Sequence, residues 1–357
     1  MAADALPSAE PQDPVPLTVL TGFLGAGKTT LLNALLGDKA LADTAVLINE
    51  FGEIGLDHLL VERLEGEAVL LSSGCLCCTV RGDLRRALDG LSERILAGRA
   101  IRRVILETTG LADPAPILAT LIADPMLARR FALDGVVTVV DALAGAATLD
   151  AQEEARRQAA VADRIVVSKT DLAGPETVAA LDARLRALNP VAPIVHAVAG
   201  AVAPAEVLAS GPWDPAAKAP DVARWIGAEL HHHHHHHHDH DPNRHGADIR
   251  ALCLAFDTPL DWEGIAGWLE MLATVRGAAL LRMKGVLDLV DEDRPVAVHG
   301  VQGVFHPPRR LPAWTADEPR RSRLVFILRG IDPAAIEGSL RAFLDAARDS
   351  RSLATPV

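Results

Sequence analysis

The segment Gly22-Phe-Leu-Gly-Ala-Gly-Lys-Thr-Thr30 follows a short apolar run, Leu17 to Thr21, and leads into the helix-compatible stretch 29–37. A turn of the form G-x-x-x-x-G-K-T between a strand and a helix is a phosphate-binding loop. Its parts have separate physical roles. The glycines let backbone N–H groups turn inward around phosphate oxygens, and the helix N-terminus adds a favourable dipole. Lys28 reaches the β- and γ-phosphates, and the Thr29 hydroxyl holds Mg²⁺. Gly22, Gly25, Ala26, Gly27, Lys28, Thr29 and Thr30 are therefore the expected phosphate site.

From Leu17 onward, apolar runs at 17–21, 45–49, 68–72, 103–108, 135–141, 164–169 and 193–198 alternate with helix-compatible stretches such as 29–37, 82–98 and 177–189. Near-continuous β-branched runs suit strands buried on both faces of a parallel sheet. The alternation predicts an α/β domain with a mostly parallel, doubly wound sheet over 17–205. Residues 1–16 read as a disordered acidic tail, and 206–248 as a linker rich in Ala, Pro, Gly and Asp that contains a histidine tract. A smaller α+β C-terminal domain is expected over 249–351. It has strand-like segments at 249–256, 279–290, 295–305 and 323–330, a helix at 260–275 and a closing helix at 332–347.

Two further strand ends carry chemistry. In Val104-Ile-Leu-Glu-Thr-Thr-Gly110, Glu107 closes a buried strand, where it can hold a Mg²⁺-bound water, and Gly110 allows close approach to a γ-phosphate. A carboxylate ending an apolar strand is costly unless paired. Lys28, Thr29 and Glu107 are thus the candidate catalytic groups. Ser168-Lys169-Thr170-Asp171 follows another strand and resembles the N-K-x-D guanine signature, with serine in place of asparagine. An aspartate accepts from guanine N1–H and N2–H₂, where adenine offers no matching donors, and the lysine stem packs on the purine. Ser168, Lys169 and Asp171 complete the expected nucleotide site and favour GTP over ATP.

A formal net charge of -12 repels phosphate backbones and anionic lipid, so nucleic acid and membrane are poor partners. No stretch approaches the ~20 apolar residues that span a bilayer, and the first sixteen residues lack a signal peptide. A cytoplasmic protein is expected. In that reducing setting Cys75, Cys77 and Cys78, three thiols within four positions, read as a metal site rather than disulfides. Thiolates suit Zn²⁺, Cu⁺ or Co²⁺ far better than Mg²⁺, with a fourth ligand from water, a histidine, Glu50 or Glu53. The tract His231, His232, His233, His234, His235, His236, His237 and His238, followed by His240, reads as a metal-collecting loop, with a solvated linker as the bland alternative.

The segments TGFLGAGKTTLLN, INEFGEIGLD, SSGCLCCTVRGDL, ETTGLADP and SKTD together resemble the CobW-like metallochaperone GTPases, relatives of the urease and hydrogenase nickel-insertion GTPases. LLRMKGVL, Gln302, Trp314 and RLVFILRG look, more loosely, like that family's C-terminal domain. The resemblance implies Mg²⁺-dependent GTP hydrolysis coupled to delivery of a transition metal, zinc by default or cobalt for a corrin pathway, to an unidentified metalloprotein client. It makes Asn49, Glu50 and Gly52 a switch segment along with Gly110, and Cys77 and Cys78 the first choices as ligands. Ile48 stands where some members carry an acidic residue that joins the metal site.

On this reading GTP draws segments 49–57 and 72–83 into one arrangement that completes the thiolate site, and hydrolysis relaxes it. No glutamine is evident to orient the attacking water, so slow intrinsic turnover is expected. Rival readings are a redox- or metal-sensing regulatory GTPase, a histidine-rich zinc store with weak hydrolysis, and an ATP-dependent small-molecule kinase. His58, His196, His299 and His306 read as structural or surface residues, Cys253 as core, and the five tryptophans as packing.

Overall fold

The computed structural model describes residues 14–49, 68–71, 79–208, 248–314 and 320–354. Glu50, Gly52, His58, Cys75, Cys77, Cys78 and the histidines at 231–238 and 240 lie outside the described residues. Among those described, seven strands form the first sheet: β1 Val15–Gly22, β2 Thr44–Asn49, β3 Ala68–Leu71, β4 Arg103–Glu107, β5 Phe131–Asp141, β6 Arg164–Ser168 and β7 Ile194–His196. Their order is β3-β2-β4-β1-β5-β6-β7, and every pairing is parallel. All seven runs anticipated from the sequence are strands. Their apolar continuity has a direct cause, since helices cover both faces.

The helices of this part are α1 Lys28–Leu36, α2 Thr79–Leu96, α3 Ala115–Ala123, α4 Pro125–Arg130, α5 Gly145–Ala151, α6 Glu153–Val161, α7 Pro175–Leu188 and α8 Pro204–Leu208. Alternate residues of β1 part to opposite faces, as the period of a strand requires. Leu17 and Val19 pack with Leu84 and Leu88 of α2 and Leu118 of α3. Leu20 packs with Leu31, Leu32 and Leu35 of α1. The expected linker start at 206 falls inside α8, whose Val207 and Leu208 are buried in that second cluster.

The C-terminal part is an antiparallel sheet backed by two helices. Its strands are β8 Ile249–Phe256, β9 Leu280–Leu287, β10 Val296–Val301, β11 Val304–Phe305, β12 Arg309–Arg310 and β13 Ser322–Arg329. The order is β11-β10-β9-β13-β8, with β12 paired to β10. The helices are α9 Trp262–Arg276 and α10 Pro333–Ala354, and Trp268 of α9 meets Phe326 of β13 edge to face at 5.5 Å. Asp261 caps α9 by accepting from the Glu263 and Gly264 amides.

Two expectations change. The segment 295–305 is not one strand but a hairpin, because Gln302 and Gly303 both take positive φ (46° and 73°) and turn the chain back, pairing Gly300 with Phe305. Cys253 is exposed rather than core. β8 is an edge strand whose Leu254 and Phe256 face the core, so alternation turns Cys253 outward.

The two parts share an apolar seam. Ile249, Leu281, Val301 and Ile327 of the C-terminal sheet join the cluster that covers the α2 and α3 face of the first sheet. At its centre Asp163, just before β6, is ion-paired with Arg282, sits 2.5 Å from Lys284 and accepts from the Val136 amide at 2.9 Å. Burial alone would raise the Asp163 pKa, but the two cations and the hydrogen bonds hold it far below the usual carboxylate range. His299 and His306 lie beside this cluster with ring centroids 3.8 Å apart and planes tilted by 34°, and burial first, then neighbouring charge (His306 and Arg282 for His299, Arg282 for His306), depresses both pKa values, that of His306 to about 4.

Candidate nucleotide site

The carboxyl ends of β1, β4 and β6 carry the predicted chemistry to one edge of the sheet. β1 ends in Gly22, whose φ of 142° and approach to β5 admit no side chain: a Cβ there would lie 2.3 Å from the Val139 carbonyl oxygen. Gly25 and Gly27 also take positive φ, 74° and 92°, so the loop turns back on itself and delivers Lys28 at the first position of α1. Lys28 is buried, and its ammonium donates to the carbonyls of Gly22 at 2.9 Å and Phe23 at 3.3 Å.

At the next position the Thr29 hydroxyl donates to Oε1 of Glu107, 3.0 Å away. Glu107 is only 6% exposed at the end of β4, and beside it the Thr108 hydroxyl donates to that of Thr21 on β1 at 2.8 Å. A hydroxyl and a carboxylate side by side are hard oxygen donors, which fit Mg²⁺ well. Beyond them, Gly110 runs against the phosphate loop so closely that a Cβ would meet the Leu24 nitrogen at 2.6 Å. Gln158 of α6, fully buried, donates its amide to the Gly110 carbonyl at 3.1 Å and the Ala112 carbonyl at 3.0 Å. It therefore braces this loop rather than facing the phosphate side.

The third strand end, that of β6, docks directly on the phosphate loop. Ser168 donates to the Ala26 carbonyl at 2.6 Å, which is what serine supplies in the position of the usual asparagine. Lys169 takes a φ of 56° and extends its ammonium to the Gly25 carbonyl at 2.8 Å and to Asp141 Oδ2 at 2.6 Å. Asp141 ends β5 and was not singled out from the sequence. Burial would raise its pKa, but the Lys169 hydrogen bond and the Leu143 and Ala144 amides outweigh that and hold it lowered. Asp171 is exposed, and its Oδ1 accepts from the Ala199 amide at 3.4 Å, so the 198–201 turn supports this carboxylate. Thr30, also exposed, abuts Gly200 of that turn.

The structure thus brings Gly22, Gly25, Ala26, Gly27, Lys28, Thr29, Glu107, Gly110, Ser168, Lys169 and Asp171 to one edge of the first sheet. Asn49 lies at the end of β2, on the same edge. Leu71 closes β3 beside it, and Thr79 opens α2, so these are the described neighbours of the cysteine segment. Among the described residues no group of three or more His, Cys, Asp or Glu could hold a metal ion.

Family models match both halves of the chain. The model "CobW/HypB/UreG, nucleotide-binding domain" matches residues 16–196, and the cobW C-terminal domain model matches 249–344. The chain belongs to the CobW/HypB/UreG family. Within it, the chain is 31% identical over 321 residues to the zinc chaperone YjiA of Escherichia coli, covering 88% of this chain and 94% of that one. It is 32% identical to the zinc chaperone CobW of Pseudomonas aeruginosa, covering 92% of each. The crystal structure of Zn(II)-bound YjiA GTPase from E. coli superposes with a TM-score of 0.68 at 26% identity, over 93% of this chain and 99% of that chain. Both domains of this CobW-type chain are therefore matched in order, and no described helix is long and apolar enough to cross a membrane.

Proposed function

We propose that this protein is a GTPase that binds zinc in one nucleotide state and releases it to a client protein in the other. The observation that carries the nucleotide half is the contact of Lys169 with the Gly25 carbonyl. It joins the Ser-Lys-Thr-Asp loop to the phosphate loop, so that one ligand spans both. Asp171 would accept from the guanine edge, and Lys169, anchored by Asp141, would lie along the purine. The glycine-rich loop would donate its amides to the phosphates, and Lys28 would move from its loop carbonyls to phosphate oxygens.

Thr29 and Glu107 would hold Mg²⁺, which supplies charge neutralisation between the β- and γ-phosphates. Gly110 follows Glu107 and touches the phosphate loop, so this backbone is the described segment best placed to sense a γ-phosphate. With Gln158 committed to loop carbonyls, turnover without a partner is expected to be slow.

The metal half rests on Cys75, Cys77 and Cys78 and on the similarity to the zinc chaperones of E. coli and P. aeruginosa. Three thiolates suit zinc, and in sequence the cysteines lie between β3 and α2. Linkage requires that, if GTP tightens zinc binding, zinc tightens GTP binding by the same factor. Zinc affinity is tested by competition with a chromophoric chelator on the full chain, in a Mg²⁺-GTP analogue and in Mg²⁺-GDP, with Cys77→Ser and Cys78→Ser as controls. Tighter binding with the GTP analogue, abolished in both variants, is expected. Equal affinity in the two states would reduce the protein to a GTPase with a static thiol site.

A further inference from the structure

The loop that follows Glu107 is held from two directions, and one of them is the other domain. Gln158 and Arg157 are neighbours on α6. Gln158 fixes the Gly110 and Ala112 carbonyls, while Arg157 Nη1 reaches Asp113 Oδ2 at 3.4 Å. The same Asp113 oxygen accepts from Nε2 of Gln302 at 3.4 Å, across 189 residues of sequence. Asp113 Oδ1 accepts from the Ala115 amide at 3.0 Å and so opens α3, which itself packs against β10 and β11. A second link runs parallel to the first: Glu153 of α6 pairs with Arg157 and accepts from Arg329 of β13 at 3.2 Å.

Gln302 sits where glutamine is a poor choice on backbone grounds. It occupies the tip of the β10–β11 hairpin with φ 46°, a conformation that glycine or asparagine adopts at less cost. The turn is also pinned, since the Gly303 position lies within 2.6 Å of the Gly277 Cα, measured from where its Cβ would be. What glutamine supplies there, and a residue suited to the turn would not, is reach to Asp113.

We propose that Gln302 is a positioning residue for GTP hydrolysis. Through Asp113 it lets the C-terminal sheet set the 110–113 loop against the phosphate loop. A client or metal event that shifts β10 and β11 would then change hydrolysis without touching nucleotide, and the γ-phosphate would report to that hairpin in return. The inference rests on the reading of Gly110 as the γ-phosphate contact.

The test uses the full chain and three variants: Gln302→Asn, Asp113→Asn and the double variant. Asparagine at 302 keeps an amide and suits the backbone but is one methylene too short for Asp113. Asparagine at 113 keeps the acceptor that opens α3 and loses the one shared by Gln302 and Arg157. GTP kcat and KM, GDP affinity and Tm are measured for each.

The expected result for Gln302→Asn is kcat lower by about five-fold, with KM and GDP affinity unchanged and Tm equal or higher, in line with one lost hydrogen bond. Asp113→Asn should show at least that loss, and the double variant no more than Asp113→Asn alone. Unchanged kcat in Asp113→Asn overturns the proposal even if Gln302→Asn is unstable. Losses that multiply in the double variant overturn it as well. A wild-type protein that binds or hydrolyses no GTP would instead sink the nucleotide reading itself.

Discussion

The Lys169 ammonium is 2.6 Å from Asp141 Oδ2, so the last residue of β5 anchors the lysine that follows β6. Substituting Asp141→Asn keeps the shape and removes the charge. GTP and GDP affinity should fall together by about ten-fold, the size of one charge-assisted hydrogen bond. Titration with a fluorescent GDP derivative reads this, and a loss confined to GTP would refute it. The Asp141 pKa is lowered, so its contribution is complete above the ordinary value near 3.8 and disappears only as pH falls below it. Nucleotide affinity should therefore show no Asp141 step between pH 5 and 8.

Asp171 gives a sharper test of base choice. Asp171→Asn replaces an acceptor by a donor, so guanine loses its match and xanthine gains one. GTP affinity should drop by about 10- to 100-fold and xanthosine triphosphate should become the better ligand. Competition between the two nucleotides decides it. ATP displacing GDP from the wild type as well as GTP does would remove the guanine assignment.

Gly110→Ala inserts a methyl group 2.6 Å from the Leu24 backbone. The loop must move off the phosphate loop, at roughly 1–3 kcal/mol of overpacking. Tm should fall by several degrees, GDP affinity should persist, and kcat should fall most. A variant with wild-type kcat would show that this approach is incidental.

The paired histidines His299 and His306 predict a pH effect on the domain seam. His306 has a folded pKa of about 4 against an ordinary 6.5, and it faces His299, Arg282, Arg309 and Asp163. Its neutral form is favoured in the fold, so the contribution is complete above pH 6.5 and is lost as pH falls towards 4. That loss amounts to roughly 3 kcal/mol. Thermal unfolding from pH 7.5 to 4.5 should show a falling Tm that is flatter in His306→Asn. Identical slopes would assign the acid sensitivity elsewhere.

Much of the first domain is legible because burial on both faces leaves a continuous apolar run with a chemical residue at its end. Leu17 to Lys28 and Val104 to Glu107 carry that signature openly. Asp141 carries it too, closing GVVTVVD as Glu107 closes VILE, and was missed because no motif names it. The 295–305 hairpin was hidden because Gln302 disguises a turn that asparagine would have announced. The pairing of Asp163 with Arg282, separated by 119 positions, leaves no local trace at all. Ser168 looks like a weakened guanine signature, yet its hydroxyl ties the end of β6 to the phosphate loop.

The position of β1 has a consequence in time. It precedes its neighbours in the sheet, β4 and β5, by 87 to 117 residues, and Lys169 lies 144 residues after Gly25. Such long-range parallel pairing closes slowly and leaves both edges of the early strand open meanwhile. The glycine-rich loop therefore reaches its working shape only after β6 has emerged. A nascent chain that ends before β6 would expose a sticky apolar strand and bind no nucleotide, so dependence on chaperones should be greatest until β6 has emerged.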